Sequence, residues 1–229
     1  DIMVISTGGT AGYLRECGLQ VTDSSCVSQS QEMLDGRVKT MSHRIFASIL
    51  YDRTNQKHIE TVHTLEIPRI DLVVVNLYPF AQTALNAQVS MNELIEHIDI
   101  GGPSLLRAAS KNHAYVTALH DPKEYISFIN HYRNHGGTSL PFRQSCAHKV
   151  FTHTYRYDQT IASVLENRCP PSTSSPNLTL EFSAEKQLRY GENPHQKAQV
   201  VSSLQGGGEI DVTRIKPLMG RNLSYNNLL

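Results

Sequence analysis

Residues 71–76, Asp-Leu-Val-Val-Val-Asn, set four apolar side chains in succession between two polar ends. A strand solvated on one face alternates in polarity, so an unbroken run predicts a strand of a parallel sheet covered on both faces. Parallel strands need crossover connections, and the flanking sequence reads that way. Ile2–Ser6 reads as a buried strand, Thr7–Thr10 as a tight loop, Ala11–Cys17 as a helix stopped by Gly18, and Leu19–Thr22 as the next strand. Ser90–His97 and Pro103–Lys111 read as helices, Ala114–Leu119 as a strand, and Lys123–Tyr132 and Pro141–Leu165 as helices. The alternation predicts an α/β layered domain with a central, mainly parallel sheet. In such sheets ligands sit beyond the carboxyl ends of the strands, where Thr7–Thr10, Asn76–Tyr78 and Asp99–Gly102 are expected to converge.

The Pro- and Ser-rich stretch Asn167–Asn177 reads as a linker. It divides the chain into residues 1–170 and residues 171–229, the second too short for a full independent core, with turn signals at Gly191–Pro194 and Gly206–Gly208. The chain begins at Asp1, without methionine and almost directly in a strand, so residues are expected before it. The formal charge is zero, which offers no basic field for nucleic acid and favours a small ligand. Four cysteines stand far apart with no Cys-x-x-Cys, which argues against a zinc ribbon or a disulfide framework and fits a reducing cytoplasm. No apolar run has the length of a membrane helix. His131 and His135 have helical spacing and His148 and His153 are close, yet no acidic residue completes a metalloenzyme pattern, and no metal is expected.

The most concentrated chemistry lies in Asp99–His113, where an acid, two glycines, a helix start at Pro103 and Lys111 share one unit. Gly101 and Gly102 let the backbone approach a ligand, and the free amides at the helix start favour a negative or polar group. Ser6-Thr7-Gly8-Gly9-Thr10 opens another helix and can surround a phosphate with amides and hydroxyls, although glycine turns are also common for structural reasons. Gly36-Arg37-Val38-Lys39-Thr40 reads as an extended segment with Arg37 and Lys39 on one face, either a solvated basic edge or an anion contact. Tyr78 is either a core residue or a hydroxyl offered to a ligand. By position alone Lys111 complements a helix dipole, and a helix of about nine residues, roughly 13 Å long, separates it from Gly101. The mixed aromatic and polar run Phe151–Ala162 reads as a helix packed on the sheet.

Taken together, Ser6–Thr10, Glu32–Thr40, Asp71–Phe80, Asp99–His113, Phe151–Asp158, Leu188–Gln196 and Leu223–Leu229 resemble the bifunctional purine-biosynthesis family that joins inosine monophosphate (IMP) cyclohydrolase to aminoimidazole carboxamide ribonucleotide transformylase. Asn-Leu-Tyr-Pro-Phe and Tyr-Gly-Glu-Asn-Pro-His-Gln are its most specific motifs. The resemblance implies that residues 1–170 adopt a methylglyoxal-synthase-like α/β fold and close the purine ring of formamidoimidazole carboxamide ribonucleotide, releasing water without cofactor or metal. It places Lys39, Tyr78, Asp99 and Lys111 at the reacting end, with acid and base unassigned. Thr7, Gly8, Gly9 and Thr10 fall at the phosphate, and Arg37, Thr40, Asn76, Gly101 and Gly102 along the nucleotide. Residues 171–229 would begin the transformylase domain as a truncated α/β segment, with Arg189 and Tyr190 a remnant of its ribonucleotide site. The formyl-tetrahydrofolate cosubstrate and the Lys-His pair of that activity belong to sequence further downstream. The implied parent protein is a homodimer acting on a purine ribonucleotide.

The family's usual Ser-Asp-Lys-Thr-Gly start is expected upstream of Asp1. Met41–Ser48 replaces the family's Leu-His-Pro-Lys-Val-His-Gly-Gly, and Ala47 and Ser48 lose the positive φ angles open to glycine, which predicts a diverged site. Gln29-Ser30-Gln31 stands where the family has Gly-Phe-Pro. A non-catalytic nucleotide-binding, allosteric-type module of the same fold is the alternative, and methylglyoxal synthase itself is disfavoured by the motifs beyond residue 180.

Overall fold

The computed structural model describes residues 2–34, 36–168, 182–203 and 223–228, and the chain divides into two compact units, Asp1–Pro171 and Ser172–Leu229. In the first unit, strand β1 (Val4–Ser6) leads into helix α1 (Gly8–Glu16) and returns as β2 (Val21–Asp23), parallel to β1 with Ile5 opposite Thr22. Gly18, at φ +84°, turns the chain between α1 and β2, a conformation that a side chain would strain. Helix α2 (Ser24–Ser28) follows directly, capped by Asp23, whose carboxylate accepts from Ser25 N–H at 3.0 Å.

The expected parallel strand is β3 (Leu72–Val74), paired with β4 (Thr117–Leu119), Val73 opposite Ala118. Its covering differs from the expectation. Thr117, Ala118 and Leu119 are all buried, whereas in β3 only Val73 is, and Leu72 and Val74 are 37% and 45% exposed. The apolar run therefore forms a strand with one wet face. The described strands of this unit make two parallel pairs, β1 with β2 and β3 with β4.

Like α2, two longer helices between the pairs were not foreseen in the sequence, α3 (His43–Leu50) and α4 (Gln56–Thr64). Ser42 caps α3 by accepting from Ile45 N–H at 3.2 Å, and Asn55 caps α4. Ala47 and Ser48 lie inside α3, with Ser48 fully buried and its hydroxyl donating to Arg44 C=O at 2.8 Å. The expected loss of glycine freedom is thus of no consequence here, since helical φ suits both residues.

Helices α5 (Phe80–Leu85) and α6 (Met91–Glu96) precede α7 (Gly101–Lys111), with Ser90 capping α6. Helix α7 starts two residues earlier than expected, so Pro103 is its third residue, where the missing N–H is still of no cost. A 3₁₀ turn (Pro122–Glu124) leads to α8 (Tyr125–His135), and α9 (Leu140–Arg168) closes the unit. Leu106, Ala108 and Ala109 of α7 join Ile45 and Ile49 of α3, Val73, Ala118, Val116 and Val150 of α9 in one core. The small Ala108 and Ala109 let α7 lie close to its neighbours.

Both ends of α9 are tied by arginine. Arg143 donates to the carbonyls of His113 (2.8 Å), Ala114 (2.6 Å) and Thr138. Arg168 donates to those of Val89 (3.0 Å), Ala84 (3.0 Å) and Asn86 (3.4 Å).

In the second unit β5 (Phe182–Gln187) and β6 (Gln199–Ser203) pair antiparallel around the Gly191–Pro194 turn, with Leu188 and Val200 buried. Residues 169–177 of the expected linker and the Gly206–Gly208 turn lie outside the described residues. Among the described residues no helix is long and apolar enough to cross a membrane.

Candidate functional site

Strand β1 delivers the chain to Thr7, which is extended at the N-cap of α1 and makes no side-chain capping bond. Gly8, at φ +58°, is the first helical residue, so the Thr7–Thr10 stretch is a helix start and not a separate loop. The first-turn amides and the Thr7 hydroxyl have no partner among the described residues, and the helix dipole favours an anion there. A Cβ on Gly8 would lie 3.6 Å from Lys39 Nζ, which brings an ammonium to the same end. Gly9 and Thr10 are exposed beside it, and a Cβ on Gly9 would meet nothing within 4 Å.

Lys39 arrives there from a turn and not from the expected extended segment. Met33 and Val38 exchange backbone hydrogen bonds at 3.0 and 3.3 Å, and Leu34 (φ +56°) and Gly36 (φ +90°) bend the chain between them. A Cβ on Gly36 would lie 2.6 Å from Glu32 Oε1 and 3.9 Å from Lys39 Nζ. The turn gives Arg37 and Lys39 different neighbours, because Arg37 forms an exposed ion pair with Glu96 of α6. Next to Lys39, Thr40 Oγ1 stands 3.2 Å from where a Cβ on Gly101 would be.

Asp99 lies just before the start of α7, and its Oδ1 accepts from Gly102 N–H in the first turn at 2.8 Å. Gly102 is buried, and a Cβ there would lie 2.4 Å from Asp99 Oδ2 and 2.9 Å from Leu77 Cδ2. Leu77 brings the end of β3 to Asp99. Its neighbour Tyr78 is 52% exposed and so is not a core residue. Asn76, also exposed, accepts from the Tyr125 hydroxyl at 3.2 Å.

These contacts join Thr7–Thr10, Lys39–Thr40, Asn76–Tyr78 and Asp99–Gly102 into one surface. Lys111 is not part of that set. It ends α7, a helix length from Gly101, and lines a cavity of about 520 Å³ with Phe46, Leu50, Ser104, Arg107 and Phe151.

A residue not singled out from sequence stands behind Asp99. Tyr157 of α9 accepts from Asp99 N–H at 2.8 Å and donates to His97 C=O at 3.4 Å. Its ring meets Phe80 edge to face, with centroids 6.3 Å apart. Burial raises the Tyr157 pKa above the usual phenol value, the Asp99 N–H bond opposing it. Farther along α9, His153 packs against the His120 ring at 4.6 Å, and His120 lies 3.0 Å from Glu124, which also pairs with Lys149. Burial, then the charge of His120, lowers the His153 pKa.

In the second unit Arg189 lies over the Tyr190 ring at 4.8 Å and donates to its hydroxyl at 3.0 Å. That bond is the largest influence lowering the Tyr190 pKa, followed by one to Ser224. Arg189 N–H donates to Leu223 C=O, and Tyr225 N–H to Tyr190 C=O, so the two late motifs pair through their backbones.

Comparison with known proteins adds an independent line. The family model of the AICARFT/IMPCHase bienzyme matches residues 109–229, and that of the MGS-like domain matches residues 1–104, in keeping with the α/β fold. The bifunctional purine biosynthesis protein PurH of Acetivibrio thermocellus is 42% identical over 98% of this chain and 44% of its own length. PurH of Listeria monocytogenes serotype 4b is 43% identical over 99% of this chain and 44% of its own length. The crystal structure of ForH superposes with a TM-score of 0.63 at 31% identity, covering 71% of this chain and 84% of that one. The chain therefore spans less than half the length of the curated relatives it matches.

Proposed function

The chain belongs to the AICARFT/IMPCHase bienzyme family, and on that footing we propose that it acts in purine biosynthesis, its residues 1–170 forming an IMP cyclohydrolase domain. Residues 171–229 are then the start of the transformylase domain. The observation that carries this reading is the surface on which the first turn of α1, Lys39, Thr40, Leu77 (the neighbour of Tyr78) and the Asp99–Gly102 helix start meet.

The substrate is formamidoimidazole carboxamide ribonucleotide. Its carboxamide nitrogen adds to the formyl carbon and gives up one proton, the formamido nitrogen gives up a second as it forms the new C=N bond, and the former formyl oxygen leaves with both as water. The substrate phosphate sits on the free amides of Gly8, Gly9 and Thr10, with the Thr7 hydroxyl beside them. Thr40, Asn76, Gly101 and Gly102 line the nucleotide, and Arg37 reaches it from its ion pair with Glu96. At the reacting end Asp99 presents a carboxylate, Tyr78 a phenol and Lys39 an ammonium, a set able to hold the moving protons and the negative charge on oxygen. Lys111 enters on the resemblance. Its exposed ammonium has no ion-pair partner among the described residues.

Arg189 and Tyr190 are read as part of a ribonucleotide site whose folate-dependent chemistry belongs to further sequence. The whole protein is a cytoplasmic homodimer in this reading. The test is to supply the purified chain with formamidoimidazole carboxamide ribonucleotide and follow IMP, alongside a formyl-transfer assay with formyl-tetrahydrofolate. Ring closure without formyl transfer is expected. IMP binding without ring closure would favour the non-catalytic module, and formyl transfer by this chain would overturn the division of activities.

A further inference from the structure

The carboxylate assigned to the reacting end is not positioned by its own segment alone. Asp99 Oδ1 is held by Gly102 N–H, which fixes the carboxylate relative to α7. The backbone that carries the side chain is fixed by a second element, α9, through one hydroxyl. Tyr157 takes the Asp99 N–H at 2.8 Å and gives its proton to His97 C=O at 3.4 Å, thereby bridging both ends of the His97–Asp99 turn. The same ring packs edge to face on Phe80, which is 1% exposed and whose N–H donates to Tyr78 C=O at 2.8 Å. One side chain thus reaches the backbone of Asp99 through its oxygen and the segment of Tyr78 through its ring.

We infer that Tyr157 is a positioning residue for ring closure, holding Asp99 and Tyr78 in register from behind the site. This rests on the cyclohydrolase reading above. The alternative role for a tyrosine at this place is packing, which its ring alone would fulfil. The hydroxyl is what separates the two roles. Removing it leaves Asp99 N–H without its partner and frees the turn, while the phosphate contacts on α1 are untouched. Misplacement of a reacting group by a fraction of an ångström acts on turnover more than on binding, and about 1 Å can lower a rate by about 10²-fold.

The experiment compares wild type with Tyr157→Phe, measuring kcat and KM for formamidoimidazole carboxamide ribonucleotide, amide hydrogen exchange at Asp99, and the thermal midpoint. Positioning predicts a fall in kcat of about ten- to a hundredfold with KM within about threefold, faster exchange at Asp99 and a near-normal midpoint. Tyr157→Leu, which removes the ring as well, should lower kcat further. Unchanged kcat in Tyr157→Phe on an active wild-type background would overturn the inference and leave the cyclohydrolase reading intact. A wild-type chain that binds IMP but closes no ring would overturn both.

Discussion

Gly102 donates its N–H to one oxygen of Asp99 at 2.8 Å while a Cβ on it would lie 2.4 Å from the other. The glycine is therefore part of how the acid is held. Leu77 closes the remaining side, where the same Cβ would come within 2.9 Å of its Cδ2.

Gly102→Ala should accordingly displace either the carboxylate or Leu77. Overpacking at such a buried point costs about 1–3 kcal/mol. Urea unfolding should register that loss, and ring closure should drop out of proportion to the small remaining unfolded fraction. A variant of full stability and full rate would remove Gly102 from the site.

Gly9→Val tests the start of α1 without disturbing the fold. The position has ordinary φ and open space around it, so stability should change by no more than about 1 kcal/mol. Nucleotide phosphate should nonetheless lose its approach to the amides, weakening IMP binding by about tenfold or more. Calorimetry that finds unchanged affinity would move the phosphate elsewhere.

Lys111→Ala separates a helix-end charge from a reacting group. As a charge at the C-terminus of α7 it contributes about 0.3–1 kcal/mol to stability and nothing to turnover. We expect that small stability change together with a fall in ring-closure rate of about 10²–10⁴-fold. Lys111→Arg, which keeps charge but not geometry, should not restore the rate. A near-normal rate in Lys111→Ala would confine Lys111 to the cavity beside Arg107 and Phe151.

His153 gives the fold a dependence on acid. Its folded pKa lies below the usual 6.5, so between that value and the folded one the unfolded chain binds more protons. Its contribution is therefore fully present above pH 6.5 and declines as pH falls through the interval beneath. Unfolding midpoints between pH 7.5 and 5 should fall less in His153→Asn than in wild type. Parallel curves would assign the acid response to other groups.

What the sequence revealed depended on how local each determinant was. The βαβ start was legible because Gly18 and the apolar pattern around it act within a few residues. The turn that separates Arg37 from Lys39 was not, because a left-handed Leu34 has no sequence signature. Nor was the wet face of β3, since a run of Leu and Val reads the same whichever neighbour covers it. Ala47 and Ser48 misled as substitutions for glycine because a helix there satisfies their φ angles. Tyr157 falls in the Phe151–Ala162 run whose pattern reads as packing, since its partner Asp99 is remote in sequence and a hydroxyl bound to a backbone amide leaves no pattern.

The arginines at the two ends of α9 grip neutral carbonyls, not carboxylates. Guanidinium keeps its proton throughout the range in which proteins are handled, and a carbonyl does not titrate. Salt screens such contacts less than it screens a pair of opposite charges. The helix is consequently pinned at its termini under conditions that alter its middle, where His153 faces His120. Acid should loosen it from the centre, between two fixed ends, instead of fraying it inward.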